Sequence, residues 1–121
     1  MAYQVLVLED DTAIREMIVS LLQDEGYHAL SAANGLEGLE VVQQSLPDLI
    51  LLDLHLPLMS GKEFANELTR REIPIPIIVV SASLDAEEWA TEIGAVAWLG
   101  KPFELEELSD AVAAACTCIR A

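Results

Sequence analysis

Polar residues that could do chemistry stand at the ends of four apolar runs. Glu9 and Asp10 follow Val5-Leu6-Val7-Leu8, and Asp53 follows Leu49-Ile50-Leu51-Leu52. Ser81 follows Ile77-Ile78-Val79-Val80, and Lys101 stands just beyond Val96-Ala97-Trp98-Leu99. A continuous aliphatic run of this length reads as a strand covered on both faces, so an ionisable group at its end belongs at the rim of a sheet. Asp53 is the residue expected to carry the chemistry. Three carboxylates, a hydroxyl and an ammonium on one edge form a functional set. Crowded carboxylates repel and raise one another's pKa unless a cation relieves them. Magnesium suits such a cluster, because it takes oxygen ligands at about 2.0–2.1 Å, keeps several waters and uses one or two carboxylates plus phosphate oxygens.

The elements that must position these groups follow from periodicity. Ile14, Met17, Ile18, Leu21 and Leu22 are spaced i, i+3, i+4, i+7, i+8, which places them on one helical face. Asp11 or Thr12 caps that helix and Gly26 ends it. Tyr27 to Ala32 is a weaker strand, and Asn34-Gly35 turns into a helix with Leu36, Leu39 and Val42 on a shared face. A third helix runs from Gly61 to about Arg71 with Phe64 and Leu68 inward. A short helix starts at Asp85, with Ala86, Trp89, Ala90 and Ile93 on one face, and Gly94-Ala95 breaks it. The last helix, Glu104 to about Cys118, buries Leu105, Leu108, Val112 and Ala115. Strands alternating with helices over short loops predict an α/β fold with a parallel sheet, and ligands of such sheets bind beyond the carboxyl ends of the strands.

Bulk properties narrow the function. A chain of 121 residues suits one domain, 1–121, with no linker, repeat or low-complexity tract. Net charge is −15, from 21 acidic and 6 basic residues, which argues against DNA or an anionic membrane as a direct partner. No leader and no bilayer-length apolar run is visible, so the expected location is the cytoplasm. Cys116 and Cys118 are two apart and do not face each other on a helix, which favours reduced cysteines.

At the motif level the chain resembles the receiver domain of two-component response regulators. The resemblance rests on Leu8-Glu9-Asp10-Asp11, Leu52-Asp53 with Pro57 and Gly61, Val80-Ser81-Ala82 and Gly100-Lys101-Pro102-Phe103. It covers essentially the whole chain, in order and at the family's spacings. It implies a doubly wound (βα)5 flavodoxin-like three-layer sandwich with a five-stranded parallel sheet of order 2-1-3-4-5. It further implies a phosphorylation-activated switch in which Asp53 accepts a phosphoryl group from a sensor histidine kinase or histidine phosphotransfer protein. The chain would catalyse only its own phosphorylation and dephosphorylation. Mg2+ or Mn2+ would be held by Asp10 directly, by Glu9 through water, by Asp53 and by the backbone carbonyl of His55. Ser81 and Lys101 would each bind a phosphoryl oxygen, and Lys101-Pro102 would be cis. Trp98 occupies the position of an aromatic that turns inward when Ser81 moves, carrying the change to the face formed by the fourth helix, fifth strand and fifth helix.

Several positions carry competing readings. Trp98 is larger than the usual Tyr or Phe, so it swings, is locked, or simply fills core. The ring of His55 reads as solvated, Asp11 as an N-cap, and Trp89 as packing. Glu87, Glu88, Glu92, Glu104, Glu106, Glu107 and Asp110 make the fourth and fifth helices acidic, with almost no basic residue before Arg120. Two such faces repel, which predicts a monomer or weak dimer and a downstream protein with a basic surface. Two other functions compete: a degenerate receiver serving as a constitutive interaction module, and a magnesium-dependent phosphatase. The intact set Glu9, Asp10, Asp53, Ser81 and Lys101 speaks against the first. The phosphatase needs an acid two residues after its nucleophile, where His55 stands, and a cap domain for which the chain has no room.

Overall fold

The computed structural model describes residues 3–120, the side chain of Arg120 excepted. Strands and helices alternate: β1 (Gln4–Leu8), α1 (Thr12–Asp24), β2 (His28–Ala32), α2 (Gly35–Ser45), β3 (Leu49–Leu52), α3 (Gly61–Arg70), β4 (Ile77–Ser81), α4 (Ala86–Ile93), β5 (Ala97–Gly100) and α5 (Leu105–Arg120). The strands form one parallel sheet in the order β2-β1-β3-β4-β5. The expected flavodoxin-like architecture is therefore present. It arises because β1, β3 and β4 each carry four consecutive aliphatic residues, and only a sheet covered on both sides buries them.

Alternate residues feed the two covering layers. Leu6, Leu8, Ile50, Leu52 and Val79 pack with Leu39, Val42, Phe64 and Leu68 of α2 and α3 and with Ala86 and Ala90 of α4. Val5, Val7, Leu49, Leu51, Ile78 and Val80 pack with Ile18 and Leu22 of α1 and Leu108 and Val112 of α5. Local signals set the helix starts. Asp11 and Asn34 accept from the backbone N–H of Ile14 and Glu37, and Ser60 with Glu63 forms a capping box. Across the surface, the Lys62 ammonium of α3 lies 4.1 Å from the Trp89 ring centre and 3.2 Å from Glu92 Oε1, tying α3 to α4.

Three leucine or methionine positions depart from expectation. Met17, Leu36 and Leu105 are exposed rather than buried. Met17 lies at the margin of its stripe, beside the buried Ile18. Leu36 lies off the buried face of α2, which is Gly35, Gly38, Leu39 and Val42, and Leu105 sits in the first turn of α5. Among the described residues no helix is long and apolar enough to cross a membrane.

Leu46 ends α2 in the left-handed region at φ 44°, donates its N–H to Val42 O, and is 65% exposed. A side chain there costs about 1–2 kcal/mol, partly offset by the greater unfolded-state freedom of glycine. Leu46→Gly should stabilise the protein by about 0.5–1 kcal/mol, although it deletes a leucine. A fall in the urea midpoint would contradict this account.

Candidate functional site

The carboxyl ends of β1, β3 and β5 meet over the centre of the sheet. Carboxylate oxygens of Glu9, Asp10 and Asp53 all lie within 4.8 Å of one another. Glu9 and Asp53 are only 2% and 5% exposed, whereas Asp10 faces solvent. The Lys101 ammonium bridges the buried pair, bonding Glu9 Oε1 and lying 3.0 Å from Asp53 Oδ2. The other oxygens are also held: Glu9 Oε2 accepts the Asp11 N–H at 3.2 Å and Asp53 Oδ1 accepts the His55 N–H at 3.0 Å. Sequence periodicity puts these residues at strand ends, and the structure brings all four charges into one cluster.

Burial pushes the Glu9 carboxyl above its ordinary value, and the hydrogen bond from Lys101 opposes that rise. Burial pulls Lys101 down, but its bonds to Glu9 and then Asp53 outweigh this and raise it. Both effects have one origin, an ammonium and two carboxylates exchanging water for each other.

Backbone packing fixes where Asp53 sits. A Cβ on Gly61 would come within 2.3 Å of the Asp53 carbonyl oxygen and 2.7 Å of Leu54 Cα, so only glycine allows α3 to start this close. The Gly61 N–H donates to Leu54 O at 3.0 Å. The Lys101-Pro102 bond is cis. Ser81 is fully buried at the end of β4; its hydroxyl accepts the Ser83 N–H at 3.2 Å and its carbonyl accepts the Lys101 N–H at 2.9 Å. The His55 ring is exposed and Asp11 caps α1, in line with the plainer readings of both.

Trp98 does not fill core. It lies opposite Val79 in the register of β4 and β5 and is 44% exposed, because β5 is the sheet edge and α4 leaves its outer side open. One contact is invisible to sequence reasoning: the Arg15 guanidinium donates to the Glu9 carbonyl at 2.8 Å. An arginine on the polar side of α1 carries no signal that separates it from a solvated one. Every cation whose side chain is described faces an oxygen of the chain: Arg15 this carbonyl, Lys62 Glu92, Arg70 and Arg71 Glu67, Lys101 Glu9 and Asp53.

Three clustered carboxylates with no sulfur or imidazole donor among them match a small hard divalent cation, Mg2+ or Mn2+.

Comparison with known proteins points the same way. The family model described as "Response regulator receiver domain" matches residues 5–113. The chain is 35% identical over 111 residues to sporulation initiation phosphotransferase F of Bacillus subtilis, covering 90% of each. It is 38% identical over 108 residues to the phosphate regulon transcriptional regulatory protein PhoB of Pseudomonas aeruginosa, covering 86% of this chain and 47% of that protein. It thus spans about half the length of such transcriptional regulators. Among solved structures, chemotaxis protein CheY4 of Vibrio cholerae superposes with TM-score 0.86 at 31% identity, covering 95% of this chain and 99% of that one. A CheY-like receiver domain protein of Methanospirillum hungatei gives 0.91 at 27%, covering 99% and 98%.

Removing the ammonium tests the cluster's electrostatics. Lys101→Met, in metal-free buffer at pH 7, should cost on the order of 2 kcal/mol, below the roughly 3–5 typical of a fully buried pair because Lys101 keeps some solvent contact. Without the ammonium the Glu9 pKa rises further. A raised carboxyl stabilises below its unfolded value near 4.5 and loses that contribution as pH rises through the folded value. The deficit of the variant should therefore shrink as pH falls from 7 toward 4.5. Urea midpoints that show a pH-independent gap would contradict the assignment.

Proposed function

This chain belongs to the response regulator receiver family, whose members are phosphoryl-accepting signalling switches, and from that membership we propose that Asp53 is its phospho-acceptor. Receiver domains interact with histidine kinases or phosphotransfer proteins and generally bind Mg2+ at an acidic pocket. The observation that supports the reading here is the Lys101 ammonium held on both Glu9 and Asp53 beside Asp10.

An Asp53 oxygen attacks the phosphorus of a phosphohistidine. The new O–P bond forms as the P–N bond breaks, and its electron pair leaves with the imidazole nitrogen. Asp10, Glu9 through water, Asp53 and the His55 carbonyl would hold the divalent cation, which when bound neutralises phosphoryl oxygens. Lys101 lies 3.0 Å from Asp53 Oδ2 and is placed to meet a phosphoryl oxygen as the transferred group arrives. The product carries about −1.5 to −2 charges and new acceptor oxygens, which draw the Ser81 hydroxyl away from the Ser83 N–H. Ser81 is joined to Lys101 through its carbonyl, and β5 carries Trp98, so this movement is relayed to the α4-β5-α5 face. The chain acts on no other substrate and functions as a cytoplasmic module.

On that face Leu84, Val96, Trp98 and Leu105 are exposed among the acids of α4 and α5. A partner with an apolar centre and a basic rim fits it, and a second copy of the chain does not. No direct contact with nucleic acid or membrane is part of this reading.

With Trp89 replaced by Phe, so that Trp98 reports alone, Mg2+ plus beryllofluoride or a phosphodonor should change the emission. Asp53→Asn should abolish the change. An unmodified protein under every donor would identify a degenerate interaction module, and turnover of free phosphoesters would identify an enzyme. Sedimentation of the activated protein should show a monomer or weak dimer; a stable dimer through α4 and α5 would refute the charge argument.

A further inference from the structure

Glu9 is gripped from four directions. Its N–H donates to Ala32 O at 3.2 Å, its Oε1 takes Lys101 and its Oε2 takes the Asp11 N–H at 3.2 Å. The fourth grip differs in kind: Arg15 reaches back from the first turn of α1 and donates to the Glu9 carbonyl at 2.8 Å. That carbonyl belongs to the Glu9–Asp10 peptide. Because the peptide is planar, holding its oxygen sets the direction in which the chain leaves toward Asp10 Cα. Asp10 needs such help. It is exposed, and no side-chain hydrogen bond among the described residues orients its carboxylate, although an oxygen of it lies within 4.8 Å of Glu9 and Asp53.

We infer that Arg15 is a positioning residue for the divalent cation, holding the Glu9–Asp10 peptide so that the Asp10 carboxylate is aimed into the site. This rests on the cation reading of Asp10 proposed above. Groups that orient metal ligands without touching the metal change affinity by about 10–100-fold when removed. Arginine suits the role because its planar fork leaves little rotational freedom once bonded. The second arm of the fork reaches Thr12 Oγ1 at 3.5 Å, on the same turn.

Charge and positioning predict opposite signs, which makes the test decisive. As a mere charge, the guanidinium repels a divalent cation, and its loss should tighten binding. As a positioning group, its loss should weaken binding although the cluster becomes more negative. The measurement is calorimetric titration of MgCl2 into the protein at constant ionic strength, with the urea midpoint followed in parallel. Arg15→Met should weaken Mg2+ binding about tenfold with little change in unfolding midpoint, and Arg15→Lys, which restores a donor to the same carbonyl, should recover part of the loss. Unchanged or tighter binding in Arg15→Met would overturn the inference and leave the cation site standing. Absence of Mg2+ binding in the parent protein would remove the site itself, and the inference with it.

Discussion

One ammonium holds the middle of this molecule. The apolar strands β1 and β3 deliver Glu9 and Asp53 to the rim nearly stripped of water, where two like charges repel with little screening. Lys101 answers both at once, entering from a third strand on the far side of β4. The pairing spans 92 residues of chain to Glu9 and 48 to Asp53, so it exists only when the whole sheet has closed. The charges demand the fold as much as the fold places the charges.

The surroundings of the cluster are unequal. On one side Gly61 is pressed against the backbone of Asp53 and Leu54, α3 begins in a capping box, and Lys62 fastens α3 to Trp89 and Glu92 of α4. On the other, the loop after β4 carries the fully exposed Leu84, α4 starts without a side-chain cap, and β5 is a short edge strand with an open outer side. Segments with few buried contacts rearrange at least cost. A charge placed at Asp53 would therefore meet a stiff wall toward α3 and a yielding one toward the loop after β4, the start of α4 and β5.

How much the sequence discloses depends on how local the physics is. Four aliphatic residues in succession at Leu49–Leu52, flanked by Pro47 and Pro57, read as a short doubly covered strand, so the position of Asp53 at a rim is legible from neighbours alone. The strand order comes from the resemblance and not from periodicity, which is silent on which strands pair. Leu36 escapes the expected pattern because the buried face of α2 runs through Gly35 and Gly38, which an apolar stripe does not mark. The exposure of Trp98 is a property of an edge position and of how far α4 extends, both tertiary quantities. Arg15 leaves no trace because its partner is a backbone carbonyl, an acceptor every residue has and no sequence pattern marks.

Because each described cation already faces an oxygen within the chain, the protein presents the surplus of its acids to solvent almost undiluted. Anions must climb that field to reach the rim, whereas a surface rich in lysine or arginine descends it. The field of that acid surplus opposes the approach of anions of any kind, and its strength fades as salt shortens its reach.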